Sequence, residues 1–223
     1  MPYQWILFDA DETLFHFDAL AGLKRMFAGH GVDFDDDHYR AYQALNLPLW
    51  QAYNAGEIDA ATLQQSRFEG WAERLGTTGA QLNSDFLQAM AAICAPLPGV
   101  RELIDALHGK ARLGIITNGF TELQQVRLER TGLAEAFELV VISEEVGSAK
   151  PHRDIFDHAL TRMGRPDADS VLMVGDNLHT DILGGLNAGL DTCWYNPSGQ
   201  PGEAAIRPHL EVQHHDQLRQ RLG

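Results

Sequence analysis

The sequence predicts a doubly wound α/β fold, a parallel sheet with helices on both faces, into which a helical module is inserted. Short uninterrupted apolar runs recur along the chain, helical periodicities lie between them, and one early crossover is far too long for a simple strand–helix–strand unit. The runs are Trp5-Ile6-Leu7-Phe8, Leu113 to Thr117, Leu139 to Ile142, Val171 to Val174 and Thr192 to Tyr195. Runs without alternation are expected of strands buried on both faces. Between them, Val100 to Leu107 sets Leu103, Ile104 and Leu107 on one helical face, and Leu123 to Leu133 does so with Leu123, Val126 and Leu133. Asp154 to Met163 and Thr180 to Ala188 complete the alternation, the last ending at Gly189, a residue suited to a left-handed cap.

The first crossover breaks this rhythm, since Asp9 and Thr117 stand far further apart than the roughly 30 residues of an ordinary βαβ unit. Residues from about Phe15 to Ala95 read as helical. Phe17, Leu20, Leu23 and Phe27 form one stripe, Tyr42, Leu45, Leu49 and Tyr53 a second, Leu63, Phe68, Trp71 and Leu75 a third, and Leu82, Phe86 and Met90 a fourth. Gly29-His30-Gly31, Asn54-Ala55-Gly56 and Gly76 to Gly79 mark the turns between them. The expected organisation is a core of residues 1–14 and 96–223 with a helical lid over 15–95, left through Pro96-Leu97-Pro98-Gly99. The tail from Asn196 to Glu211 reads as a surface loop followed by a short terminal helix.

Composition narrows the partners. The 223 residues carry 17 Lys and Arg against 31 Asp and Glu, a net charge of −14, so the surface as a whole repels nucleic acid polymers and anionic membranes. Any phosphate must be held locally. Cys94 and Cys193 stand far apart and in no metal-ligand spacing, as expected of reduced thiols that pack inertly. Met1-Pro2-Tyr3-Gln4 leads into an apolar run of four residues that meets Asp9, which reads as neither signal peptide nor spanning helix, so the expected location is the cytoplasm.

The candidate chemistry gathers at the ends of the apolar runs, the edge where open parallel sheets place their ligands. Asp9-Ala10-Asp11-Glu12-Thr13 puts two carboxylates past the first run, and Val174-Gly175-Asp176 with Asp181 repeats the pattern at a later one. Such carboxylates repel one another unless a cation joins them, and an all-oxygen set is what Mg²⁺ prefers. Asp181 also fits a charge placed at a helix start. Thr117, ahead of Asn118 and Gly119, offers a hydroxyl to a phosphoryl oxygen and equally fits a helix cap. Lys150, before Pro151, is either a phosphate-binding cation or an ordinary solvated lysine.

Asp-x-Asp-x-Thr, a strand-end Thr-Asn, Lys-Pro and Gly-Asp-x-x-x-x-Asp occur here in that order. In this combination the chain resembles the haloacid dehalogenase superfamily, whose core is a Rossmann-like doubly wound sheet. The resemblance implies that Asp9 attacks phosphorus and becomes an aspartyl phosphate, and that Asp11 protonates the leaving oxygen and then activates water. It implies that Thr117 and Lys150 neutralise phosphoryl oxygens, and that Asp9, the Asp11 carbonyl and Asp176 hold Mg²⁺. Asp181 would orient the metal shell or Lys150. Asp11 disfavours the dehalogenase branch, which has no leaving alkoxide to protonate, and leaves phosphatase or phosphomutase.

The phrases Phe8 to Phe15, Gly114 to Thr121, Leu123 to Leu133, Val141 to Gly147 and Arg67 to Leu75 are similar to the bacterial pyrimidine 5′-nucleotidases of that superfamily. These are house-cleaning enzymes acting on dUMP, dTMP, UMP and non-canonical pyrimidine nucleotides. The implied partner is a small phosphomonoester, with Phe15, Trp50, Arg67 and Phe68 as candidates for contacts to the base and Asn118 as a supporting polar group. Helical spacing already explains the aromatic candidates as lid core. Sugar-phosphate hydrolysis or a phosphomutase reaction is the nearer alternative. A receiver-type phosphoacceptor module is the distant one, since receivers are roughly half this length and have no large insertion after the first strand.

Overall fold

Trp5, Ile6, Leu7 and Phe8 form β1 (Trp5–Phe8), with all four side chains buried. Five helices follow, α1 (Ala19–Gly29), α2 (Asp36–Asn54), α3 (Ala60–Ser66), α4 (Glu69–Leu75) and α5 (Gly79–Ile93). Thereafter strands and helices alternate through α6 (Val100–Leu107), β2 (Arg112–Thr117), α7 (Thr121–Thr131), β3 (Leu139–Ile142), α8 (Ser143–Val146) and α9 (Arg153–Arg162). The chain closes with β4 (Val171–Gly175), α10 (Leu183–Asn187), β5 (Asp191–Tyr195), β6 (Leu210–Val212) and α11 (His215–Leu222). The computed structural model describes residues 3–223, so Met1 and Pro2 of the N-terminal reading lie outside the described residues.

The strands form one parallel sheet of order β3-β2-β1-β4-β5-β6, the expected doubly wound arrangement. Phe8 stands opposite both Ile115 and Val174. Asp9, Thr117 and Asp176 therefore leave the sheet along the same carboxyl edge. On one face Ile155, Phe156 and Ala159 of α9, with Met163 just past its end, pack against Trp5, Leu7, Ile116, Val141 and Met173. Full burial of each large apolar side chain contributes about 1.5–3 kcal/mol and fixes α9 behind the strand ends.

Two sequence expectations change in this unit. The segment 196–211, read as a surface loop, ends in an edge strand, with Cys193 paired to Leu210 and Tyr195 to Val212. Three residues on a sheet edge carry too little periodicity to announce a strand. The helix expected from Thr180 starts earlier, in a π-helical turn over Leu178–Ile182, because Asn177 caps it by accepting the His179 and Thr180 amides at 2.9 and 3.1 Å. The chain does end α10 at a left-handed Gly189.

Residues contact one another as two units. One holds the sheet and comprises the described residues up to His16, Ala95–Gly119 and Thr131–Gly223. The other is helical and comprises Phe17–Cys94 with Phe120–Arg130, so nearly all of α7 groups with the inserted helices rather than with the sheet. Side-chain caps open four of its helices, α1, α2, α3 and α5: Asp18 accepts from Ala21, Asp35 from His38, Asp59 from Thr62 and Thr78 from Gln81. The stripe from Leu63 to Leu75 is two helices rather than one, broken at Arg67 and Phe68, where the Arg67 side chain turns inward to Asn83. Leu45, placed on the apolar stripe of α2, is exposed, while Tyr42 and Tyr53 are buried. The interior is aromatic, with Phe27 stacked on Phe34 at 4.6 Å and Phe68 between Tyr42 and Phe86 at 5.6 and 5.8 Å. Among the described residues no helix is long and apolar enough to cross a membrane.

Candidate active site

Asp9 continues the line of β1 by one residue, its amide donating to the Val174 carbonyl at 2.8 Å. That bond aims the side chain beyond the sheet edge. The carboxylate is only 8% exposed, and Lys150 Nζ donates to its Oδ1 at 2.6 Å. The same ammonium meets Asp181 Oδ1 at 2.7 Å and the Ile116 carbonyl at 2.8 Å. Lys150 and Asp181 are each 1% exposed, so Lys150 is no solvated lysine and Asp181 no surface helix charge. Burial works against the ammonium, but the Asp181 and Asp9 carboxylates outweigh it and hold its pKa above the ordinary lysine value.

Lys150 is placed through its backbone. The Asn118 side chain donates to the Lys150 carbonyl at 2.9 Å and accepts the Lys150 amide at 2.7 Å. This commits the Asn118 amide to the lysine segment, a sharper role than the supporting one read from the sequence. Thr117, buried at the end of β2, accepts the Gly119 amide on Oγ1 at 3.0 Å, a turn contact ahead of α7 rather than the cap of that helix, and keeps its hydroxyl proton available. Asp181 takes the Asn177 amide on Oδ2 at 3.0 Å and the Thr180 hydroxyl on Oδ1 at 3.1 Å. Gly175 is required here, because a Cβ on it would collide with the Asp181 carboxylate.

Carboxylate oxygens of Asp9, Asp176 and Asp181 lie within 4.8 Å of one another. Lys150 is the cation that pairs with members of this trio among the described residues, bonding Asp9 and Asp181. Burial first, and then the charges of Asp181 and Asp11 against the opposing pull of Lys150, push the Asp9 carboxyl up to about 7. Burial and the charges of Asp9 and Asp181 push Asp176 up to about 8. Three crowded acids against one ammonium leave unbalanced negative charge, and every donor is an oxygen. This donor set fits a hard divalent cation such as Mg²⁺ and offers nothing to a metal that seeks nitrogen or sulfur.

The chain matches the family model described as haloacid dehalogenase-like hydrolase over residues 3–189. It belongs to the haloacid dehalogenase-like hydrolases. It is similar to the Escherichia coli pyrimidine 5′-nucleotidase YjjG, 54% identical over 222 residues that cover 100% of this chain and 99% of the relative. It is also similar to the Streptococcus pneumoniae pyrimidine 5′-nucleotidase PynA, 31% identical with 98% and 94% coverage. Among solved structures, the HAD-hydrolase YfnB of Bacillus subtilis bound to magnesium superposes with a TM-score of 0.85 at 30% identity, covering 99% of each chain.

The structure brings Asp9, Lys150, Asp176 and Asp181 into one cluster. Asp11, partly buried, lies in the turn that follows Asp9, bridged to Phe15 through the backbone. The base candidates divide. Phe15 and Phe68 are fully buried, which leaves no surface for a ligand. Trp50 is partly buried and stacks on Phe120 at 5.4 Å. Arg67, 4% exposed, donates through Nε to Asn83 Oδ1 at 3.1 Å and lies over the rings of Phe68, Phe86 and Phe120 at 5.2, 5.1 and 5.3 Å. Residues that escaped the sequence reading are Thr13, whose hydroxyl reaches Asp176 Oδ1 at 3.4 Å, and Trp194, whose indole donates to the Asp176 carbonyl at 2.8 Å. Thr13 stood inside the quoted motif; nothing in the spacing pointed to Trp194.

Proposed function

We propose that this hydrolase is a Mg²⁺-dependent phosphomonoesterase acting through an aspartyl phosphate on pyrimidine nucleoside 5′-monophosphates in the cytoplasm. The observation that carries the chemistry is Asp9 held by Lys150 at 2.6 Å inside a largely buried cluster of acids. The similarity over the full chain length to two named pyrimidine 5′-nucleotidases supports the substrate class. Lys150 grips one oxygen of Asp9 and leaves the other to attack phosphorus. As the bond to the leaving oxygen breaks, protonated Asp11 gives its proton to the departing nucleoside hydroxyl. Asp11, now ionised, removes a proton from water, which attacks the same phosphorus and frees phosphate and the Asp9 carboxylate. Thr117 and Lys150 donate to the phosphoryl oxygens. Asp9, the Asp11 carbonyl and Asp176 would hold Mg²⁺, with Asp181 fixing Lys150. When bound, the cation neutralises the acids and stabilises the charge of the transferring phosphoryl group.

In this reading the helical unit serves as the cap that selects substrate. Trp50, partly buried and stacked on Phe120 within that unit, is the aromatic candidate for contact with a planar base. The test is phosphate release with Mg²⁺ from nucleoside monophosphates, sugar phosphates and a hexose 1-phosphate, with products identified. dUMP or dTMP is expected to exceed AMP and the sugar phosphates in kcat/KM by about tenfold or more, roughly 1.4 kcal/mol of transition-state binding. A purine nucleotide or hexose phosphate as best substrate overturns the nucleotidase reading and leaves the phosphatase chemistry standing.

A further inference from the structure

The C-terminal segment has no part in the chemistry above, yet one of its residues reaches the loop that carries it. His215, the first residue of α11, is 1% exposed and its ring lies against Tyr195 of β5, centroids 4.4 Å apart. Its Nε2 is 2.8 Å from the Thr13 carbonyl and its Nδ1 is 3.1 Å from the Pro98 carbonyl. Carbonyl oxygens only accept, so a ring nitrogen holds either one only by donating a proton to it. A buried histidine needing to be satisfied would find one acceptor sufficient. Here both ring nitrogens face backbone from distant parts of the chain, the end of the Asp9–Thr13 loop and the segment that precedes α6.

That loop needs holding. Glu12 adopts φ 55°, a left-handed conformation uncommon for a residue with a side chain. The Leu14 and Phe15 amides both close onto the Ala10 carbonyl, at 3.0 and 2.9 Å, so the loop turns tightly around Asp11. Thr13 sits between the two systems, its carbonyl facing His215 and its hydroxyl reaching Asp176.

We propose that His215 is a positioning residue for the phosphatase site. Through Nε2 it fixes the Thr13 carbonyl, and so sets both the curvature of the loop bearing Asp9 and Asp11 and the reach of the Thr13 hydroxyl to Asp176. A neutral imidazole carries one N–H, here on Nε2, so Nδ1 faces the Pro98 carbonyl without donating to it. The role in turnover rests on the phosphatase reading; the role in arranging the acids does not.

Two substitutions separate the two contacts. His215→Gln carries an amide N–H to the place of Nε2, and His215→Asn carries one to the place of Nδ1. His215→Phe keeps the ring and donates to neither. Mg²⁺ affinity by calorimetry, kcat and half-saturating Mg²⁺ with dTMP and with p-nitrophenyl phosphate, and thermal midpoints are measured for all four proteins. His215→Gln is expected to bind Mg²⁺ within about twofold of the parent, while His215→Asn and His215→Phe weaken it by about tenfold or more, the scale of losing a group that orients a metal ligand. Their kcat falls equally on both substrates. Mg²⁺ affinity that simply follows the thermal midpoint, or His215→Asn matching His215→Gln, overturns the proposal. If the parent protein hydrolyses neither ester, the phosphatase reading fails, and the calorimetric order of the variants still decides the role of His215.

Discussion

Lys150 in the sheet unit and Arg67 in the helical unit are both cations shut away from water, and they are kept charged by opposite means. Lys150 is enclosed by two carboxylates and a carbonyl, at 2.6, 2.7 and 2.8 Å. Arg67 has Asn83, Tyr42 and three phenylalanine faces, and no carboxylate among its partners in the described residues. Burial lowers the Arg67 pKa, and the Tyr42 hydroxyl beside it opposes that shift. A planar, weakly hydrated guanidinium tolerates aromatic surroundings that would strand an ammonium. One cation is therefore a member of an electrostatic cluster whose other members are proposed to do chemistry. The other holds α3, α5 and an aromatic interior together.

The contrast can be broken by mutation. The largest effect belongs to Asp9→Asn, expected to leave the fold intact, because Asp181 still balances Lys150, while turnover falls by about four orders of magnitude. Near-normal phosphate release from pure Asp9→Asn would remove the nucleophile assignment. Next comes Lys150→Met, which leaves Asp9 and Asp181 buried without their cation and is expected to lose about 3–5 kcal/mol in denaturant unfolding. Gly175→Ala should lower kcat by about tenfold to a hundredfold, since the new methyl group displaces the Asp181 carboxylate and with it Lys150. Arg67→Met closes the series at about 1–3 kcal/mol, the scale of leaving the Asn83 acceptor unmet inside an otherwise apolar cage. Equal losses for Lys150→Met and Arg67→Met would erase the distinction drawn between the two cations.

Much of this was readable from sequence because the strands are fully buried and their runs do not alternate. Trp5–Phe8 and Leu139–Ile142 coincide with the expected spans, and β2, β4 and β5 extend theirs by one residue. The acids were legible for the same reason, since a charge directly after a buried strand has only the sheet edge to occupy. What stayed hidden depends on distant partners. β6 takes its place from pairing with β5 rather than from its own three residues. The break between α3 and α4 follows from Arg67 reaching Asn83, sixteen positions away. Asn118 read as a supporting polar group, and only the folded chain turns both ends of its amide to the backbone of Lys150. His215 lies in a segment without pattern, and its meeting with Thr13 spans a sequence separation of 202.

The placement of β1 between β2 and β4 has a consequence for the order in which the molecule can be made. β1 is the first strand to leave the ribosome, yet its neighbours begin only at Arg112 and Val171. At about 5–20 residues per second, Trp5-Ile6-Leu7-Phe8 waits roughly 5–20 seconds with both edges unpaired while α1 to α6 emerge behind it. An apolar strand with open edges is a template for the wrong partner. The acids that follow it are then also without their cation, because Lys150 is still to be synthesised. Asp181 completes the cluster only after four fifths of the chain exists, so no shorter nascent chain has the charge balance of the finished site.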